Sequence, residues 1–220
     1  VVGIHTGAYS LSNPNVNIHL FALLEIFTRF SVPIFFFVSA FGLFLGQNLS
    51  EPFHYRQFML RRCRGVLIPY VAWSLIYMLH YTYISNDIQI WSAPLIYEYF
   101  IFGLASYQLY FLVILLWFYS LMPLWRLLLK AIAPHPLSGL SLLCVLQIAF
   151  NYYSSYLLIP DSNNYFLQKA LYHRLSYWVF HYLLIFITGG LCALYFKSFQ
   201  GWIKNNHLKI KHFFFSTLAG

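Results

Sequence analysis

Charged residues are scarce in this sequence. They make up 8% of its 220 residues, whereas a soluble domain carries about 25%. Acidic residues are rarest, with five against thirteen basic residues, while 60% of the chain is hydrophobic. This composition excludes an ordinary soluble domain and indicates an integral membrane protein. The apolar runs are long and lack strict alternation, so they predict an all-α, polytopic bundle of transmembrane helices.

Motifs for metals, cofactors and nucleic acids are also missing. The three cysteines, an odd number, share no motif spacing and therefore predict no disulfide framework. Histidines are scattered without cysteine or carboxylate neighbours at ligand spacing, so we expect no metal site and no bound cofactor. Basic residues occur in short connectors rather than in one stripe, which argues against nucleic-acid binding.

Five long apolar runs divide the chain and are predicted to form membrane helices, since a span needs roughly 20 residues. Residues 86–107, between the second and third runs, are expected to form an interfacial or re-entrant helix. We expect one membrane domain over residues 1–220, cut within spans at both ends, and no soluble domain. The runs cover residues 20–47, 65–85, 108–129, 137–159 and 176–196.

The connectors between these runs differ in charge. Ten basic residues fall in alternate connectors, and only Lys169 and Arg174 fall in the opposite set. Because short loops rich in Lys and Arg stay in the cytoplasm, the first set predicts the cytoplasmic side. The ten residues are Arg56, Arg61, Arg62, Arg64, Arg126, Lys130, Lys197, Lys204, Lys209 and Lys211.

The arginine cluster near the second run is the first candidate site. Arg61 and Arg64 are three residues apart, so on an α-helix they share a face. Guanidinium groups grip phosphates with two hydrogen bonds, so a cytoplasmic pair could hold a phosphorylated donor. The alternative is a simple topology signal, because basic clusters at the membrane edge are common.

His5, Arg29 and Glu25 are the remaining candidates. Residues 1–10 are expected to be the tail of a first span that precedes the five runs. In the topology above, His5 lies near the outer end of that span, where a neutral imidazole could take a proton from a hydroxyl or act as a nucleophile. The alternative for His5 is a hydrogen bond between packed helices. Arg29 follows Glu25 by four residues, which favours a helical ion pair, and a polar cavity is the functional alternative for both.

At these residues the chain resembles the acyltransferase 3 family, a group of multi-spanning enzymes that acylate extracytoplasmic sugars. Four stretches carry the resemblance, and their order makes it specific although each is weak alone. They are VVGIHTGA, FTRFSVPIFFFVSAFGL, RRCRGVLIPY and QLYFLVILLWFYSLMPL. The resemblance covers residues 1–125, and no motif follows. Two departures occur, Ser39-Ala40 where Ser-Gly is usual and Tyr110-Phe111 where Trp-Phe is usual.

The resemblance implies a function and roles for three residues. It implies a protein of about ten spans in the bacterial plasma membrane. The activity would be an acyltransferase of the class that moves groups other than aminoacyl groups, taking a group such as acetyl from cytoplasmic acyl-CoA to a hydroxyl of a surface or exported polysaccharide. His5 would be the essential histidine, and Arg61 and Arg64 would bind the donor. Membrane lipid, acyl-CoA and a glycan acceptor are the expected partners.

Two other functions compete with this interpretation. A transporter or polysaccharide exporter would also place an arginine and a proline, here Arg29 and Pro33, in a broken span. A structural subunit of an envelope complex is the third possible function. Transfer of labelled acetyl groups without net sugar transport separates the first two, and loss of activity on changing His5 alone would argue against the third.

Overall fold

The computed structural model describes residue 19 and residues 30–106 and 108–218, and within these residues it is helical with no strand. Eleven α-helices lie in this part of the chain. They are α1 (Ser31–Phe44), α2 (Tyr55–Arg62), α3 (Ile68–Ser85), α4 (Ala93–Phe102), α5 (Tyr110–Ser120), α6 (Met122–Ile132), α7 (Pro136–Tyr152), α8 (Tyr165–Tyr172), α9 (Arg174–Tyr177), α10 (Leu183–Leu194) and α11 (Phe196–Leu218).

Two π-helical turns interrupt the longer helices. The first π turn, Cys63–Leu67, joins α2 to α3 without a loop, so one helix continues from Tyr55 to Ser85. Pro69 lies at the start of α3 and has no N–H to donate. The wider π turn accommodates the proline, since the Ile68 N–H donates to the Cys63 carbonyl five residues back. The second π turn, Tyr153–Leu157, extends α7.

Helices long and apolar enough to cross a membrane are fewer than the sequence predicts. Among the described residues, Pro136–Leu157 meets both criteria alone. Two further candidates are bent pairs, with 68° between α5 and α6 and 66° between Val179–Leu194 and α11. The described residues therefore contain one candidate span, or up to three if each bent pair is a single span.

The core is aromatic and lies where α1, α5, α6 and α10 meet. The rings of Phe118 and Phe186 stack with centroids 4.0 Å apart, and Phe36 packs against Phe118 at 5.5 Å. Trp125 covers the other side of this pair, and its Nε1–H donates to the Phe118 carbonyl at 3.0 Å. All four side chains are essentially buried. Aromatic pairs of this kind add stability beyond their buried area.

The closest helix pair is α1 with α10. Gly189 and Gly190 of α10 are buried and let the helices approach, as small residues do in membrane helices. Pro33 lies in the first turn of α1, where a missing N–H costs no helical hydrogen bond. The part of the predicted run at residues 20–29, with Glu25 and Arg29, lies outside the described residues.

The described part of the segment predicted to be an interfacial or re-entrant helix, residues 86–106, contains one short α-helix. The 3-10 turn Gln89–Trp91 leads into α4, which has ten residues and is therefore too short to cross a membrane. Gly103 ends α4 with φ of 72° and lies against the backbone of Tyr110. A Cβ at Gly103 would lie 2.7 Å from the Tyr110 Cα atom, so the turn requires glycine.

Candidate functional site

The predicted arginine pair lies where α2 passes into the first π turn. Arg61 belongs to α2 and Arg64 to the π turn, and both side chains are exposed. A π turn holds more residues than an α turn, so the three-residue α-helical spacing does not apply across this boundary. The α-helical spacing behind the predicted shared face is thus altered here, and the donor-binding role of Arg61 and Arg64 stays a prediction.

Arg62, between the two, faces the protein instead. Its guanidinium carbon lies 5.3 Å from the ring centroid of Phe58, one turn earlier, and 5.2 Å from that of Tyr119 on α5. Cations over aromatic faces gain attraction from the ring quadrupole. The Arg62 Nε atom is buried, yet within the described residues it has no hydrogen-bond partner. Leaving such a donor unpaired costs free energy, which a hydrogen bond to an acceptor that reached this atom would recover.

Arg126 of α6 connects the loop after α1 to the rest of this region. Its guanidinium donates to Gln47 Oε1 at 2.6 Å and to the carbonyls of Asn48 and Glu51 at 3.3 and 3.0 Å. It also lies 4.9 Å from the ring centroid of Phe53. These hydrogen bonds give the Arg126 guanidinium a structural role, because they hold the loop after α1 in place.

A small polar cavity lies at the start of α2. Its volume is about 370 Å³, and exposed backbone and side chains at the start of α2 surround it. The nearby Tyr55 hydroxyl donates to the Ser120 carbonyl at 2.9 Å, which fixes the start of α2 against the end of α5. The cavity is lined by His54, Tyr55, Arg56, Gln57 and Leu60.

A second polar cluster joins α4 to α8 around Glu98. This carboxylate is 5% exposed. Lys169 Nζ lies 3.0 Å from one of its oxygens, and the Tyr165 hydroxyl donates to the same oxygen. His173 Nε2 lies 3.8 Å from the other oxygen. The charge distribution of the sequence assigns Glu98 and Lys169 to the same side of the membrane, and the two are in contact here.

Burial and hydrogen bonding oppose each other at this cluster. Burial raises the pKa of the Glu98 carboxyl, but the hydrogen bonds from Tyr165 and Lys169 outweigh it and leave the pKa below its ordinary value. The hydrogen bond to Glu98 raises the pKa of Lys169. Burial lowers the pKa of His173, so its imidazole is neutral near pH 7. The cluster therefore works as an ion pair with a neutral histidine beside it.

The structure leaves part of the predicted site untested. His5, Arg29 and Glu25 lie outside the described residues, so their roles stay predictions. Arg61 and Arg64 lie beside Arg62, which the sequence interpretation counted only as a topology residue. Its spacing of four residues from Phe58 was a usable signal, because residues at that spacing share a helix face. The described residues contain no group of three or more potential metal ligands.

Comparison with known proteins gives one match. The model of the acyltransferase 3 family, described as an acyltransferase domain, matches residues 1–219. The similarity thus continues well beyond residue 125, where the recognisable motifs stop. No curated protein and no solved structure matches the chain.

Proposed function

We propose, from the premise that this chain belongs to the acyltransferase 3 family, that it transfers an acyl group such as acetyl from cytoplasmic acyl-CoA to a hydroxyl of a surface or exported polysaccharide. The enzyme would sit in the bacterial plasma membrane and cross it several times. Family membership and the apolar helices support the membrane assignment. The asymmetric distribution of basic residues supports the orientation.

The state of Arg62 is the observation that best supports a phosphorylated donor. A half-buried guanidinium with an unpaired Nε–H lies at the end of the molecule where the sequence places the cytoplasm. The phosphate groups of coenzyme A are strong acceptors for such a donor, and hydrogen bonds to charged groups are the stronger ones. The exposed Arg61 and Arg64 stand on either side of Arg62 and add positive charge for a polyanion.

The acceptor half of the reaction is assigned to His5. A sugar hydroxyl is a weak nucleophile at neutral pH and needs a proton acceptor, which a neutral imidazole provides. Arg29 and Glu25 would line a polar cavity near the same end. These assignments rest on the sequence motif and the predicted topology.

The decisive experiment uses the full-length protein in inverted membrane vesicles. Labelled acetyl-CoA is supplied on the exposed cytoplasmic face, and label is followed into acid-precipitable glycan. Acetylated glycan that depends on the protein supports the proposal. Failure of the wild-type protein to transfer label to any hydroxyl acceptor would overturn it.

A polysaccharide exporter is the second candidate, and one feature favours it. The two helix pairs bent by 68° and 66° resemble the discontinuous helices that transporters use at their binding sites. The same vesicles distinguish the two functions. An exporter moves labelled glycan across the membrane in the absence of acetyl-CoA, whereas the acyltransferase modifies glycan without net movement.

A further inference from the structure

A chain of polar side chains joins the end of α7 to the 3-10 turn Val179–Tyr182. Gln147 Nε2 lies 3.0 Å from Asn151 Oδ1, and His181 Nδ1 lies 2.9 Å from that same oxygen. On the other side of the imidazole, His181 Nε2 lies 3.2 Å from the Ser154 hydroxyl oxygen. Ser154 belongs to the second π turn, and such turns occur frequently at functional sites.

Backbone groups fix the direction of the hydrogen bonds from Gln147 through Asn151 to His181 Nδ1. The Gln147 amide donates to the Phe180 carbonyl at 2.6 Å and accepts from the Leu184 N–H at 3.2 Å, so its Nε2 is a donor. Asn151 must then present its oxygen to Gln147 and to His181. This oxygen accepts a hydrogen from His181 Nδ1, so in the neutral imidazole the Nε2 lone pair faces Ser154.

The resulting geometry is that of a nucleophile, a base and an orienting group. The Ser154 hydroxyl donates to a neutral imidazole, and the amide of Asn151 holds the imidazole in the required tautomer. A structural clamp would need only the two bonds of Gln147 to Phe180 and Leu184, which already join the two elements. His181 and Ser154 are not needed for that purpose.

Arg174 supplies positive charge beside the serine. Its Nε donates to the Ser154 carbonyl at 2.8 Å, and its Nη atoms donate to the carbonyls of Leu171 and Leu158. The side chain is 7% exposed, and within the described residues it forms no ion pair. A buried cation without a carboxylate partner favours negative charge developing nearby.

Two apolar clefts lie against the residues that cover this network. Each has a volume of about 370 Å³, and both are lined by Phe150 and Phe180. The ring of Phe150, which lines both clefts, packs against the His181 imidazole with centroids 5.0 Å apart. Ser154 itself is fully buried. A change in the Phe150 rotamer is the movement that would connect the clefts with the hydroxyl.

We propose that Ser154 carries the acyl group between donor and acceptor, with His181 as its base and Asn151 as the positioning residue. This inference rests on the proposed acyltransferase function. The Ser154 oxygen attacks the thioester carbonyl, its proton passes to His181 Nε2, and the carbon–sulfur bond breaks. The thiolate takes that proton and leaves as coenzyme A. The acceptor hydroxyl then attacks the serine ester while His5, the base of the proposed function, takes its proton. The bond between the acyl carbon and the Ser154 oxygen breaks, and that proton returns to restore the Ser154 hydroxyl.

The test is to trap the acylated serine. Full-length protein in detergent is incubated with labelled acetyl-CoA without acceptor, denatured, digested and analysed by mass spectrometry. We expect one acetyl group on the peptide that contains Ser154. Ser154→Ala should lose this label, whereas Ser155→Ala, at the exposed neighbouring residue, should keep it. Ser154→Cys should hold the group as a thioester that hydroxylamine releases.

Turnover provides the second measurement. His181→Gln should lower kcat by roughly 10²–10⁴-fold with little change in the donor KM, since a positioned base acts in the chemical step. The wild-type protein could transfer acetyl groups while its Ser154 peptide stays unlabelled and Ser154→Ala turns over normally. That result would show that Ser154 does not carry the acyl group, and the proposed function would stand. If the wild-type protein transfers nothing, the proposed function fails first.

Discussion

Gly189 of α10 lies directly against the backbone of Phe37 in α1. A Cβ atom at Gly189 would be 2.3 Å from the Phe37 carbonyl oxygen, a distance at which the helices would have to separate. The obstacle is backbone rather than a side chain that can rotate away. This contact therefore sets the distance between the two most closely packed helices of the described structure.

Gly189→Ala should consequently destabilise the protein. Inserting a methyl group into a closely packed contact costs about 1–3 kcal/mol. Thermal unfolding in detergent, followed by loss of monodisperse protein, measures the effect. Gly201→Ala is the matched control, because no atom lies within 4 Å of a Cβ at Gly201 in α11. A Gly189→Ala variant as stable as Gly201→Ala would contradict the packing described here.

Removal of Arg62 should weaken donor binding most among the three arginines. Loss of a charge-assisted phosphate contact costs about 1.5–3 kcal/mol, roughly a ten- to hundredfold loss of affinity. Arg61→Ala and Arg64→Ala should have smaller effects, because both side chains are exposed. Lysine at position 62 should restore binding only in part, since it lacks the guanidinium fork.

The measurement is calorimetric titration of acyl-CoA into the purified full-length protein. Lys204→Ala is the control for a general loss of positive charge. Equal donor affinity in wild-type protein and all three alanine variants would reduce the cluster to a topology signal.

His5→Ala should abolish transfer while leaving membrane insertion and acyl-CoA binding intact. The expected loss of turnover is roughly 10²–10⁴-fold, the usual contribution of a positioned proton acceptor. The vesicle assay measures turnover, and calorimetry checks the donor. Near-normal turnover would remove His5 from the mechanism and would favour the exporter.

The orientation can be tested with single cysteines in a cysteine-free background. Gln57→Cys and Asn205→Cys are exposed and lie in the basic segments predicted to face the cytoplasm. They should react with an impermeant thiol reagent only after the cells are opened. Asn163→Cys, in the opposite loop, should react in intact cells. Labelling of position 57 or 205 in intact cells would reverse the orientation.

The Glu98 cluster should make stability fall as the medium becomes acidic. The fold lowers the pKa of His173. As the pH falls below the ordinary value of 6.5, the unfolded chain therefore binds a proton before the folded protein does, and this stabilises the unfolded state. The pKa of Glu98 is also lowered, so the same loss continues below its ordinary value of 4.5. Stability is thus greatest above pH 6.5 and declines in two ranges.

Thermal unfolding across this pH range checks the sign. His173→Gln should flatten the first decline, which begins as the pH falls below 6.5, and leave the lower one. Stability that rises on acidification in the wild-type protein, relative to His173→Gln, would contradict the assignment of a neutral imidazole.

Local patterns predicted the helices better than they predicted contacts. The apolar run at residues 137–159 is the candidate span Pro136–Leu157. The run at residues 108–129 is instead bent at Leu121, next to Pro123, although a proline inside a helical pattern is a known signal for a kink. The connector at residues 48–64 already contains the helix α2, which its basic residues concealed.

The site shows the same limit. The arginine motif drew attention to Arg61 and Arg64, whereas Arg62 is the arginine that faces inward, four residues after the buried Phe58 on the same helix. Ser154 and His181 are 27 residues apart and come together through tertiary packing. Nothing in their local sequence distinguishes them from the other serines and histidines of the chain.

The first π turn has a consequence for how one helix serves two neighbours. Geometrically it equals one residue inserted into a continuous helix, so the two flanks are out of phase with each other. Arg62 before the turn faces Tyr119 of α5, while Tyr70 after it donates to the Phe100 carbonyl of α4 at 2.7 Å. Deleting one residue between positions 63 and 67 would restore α-helical phase, and only one of these two contacts could then be kept.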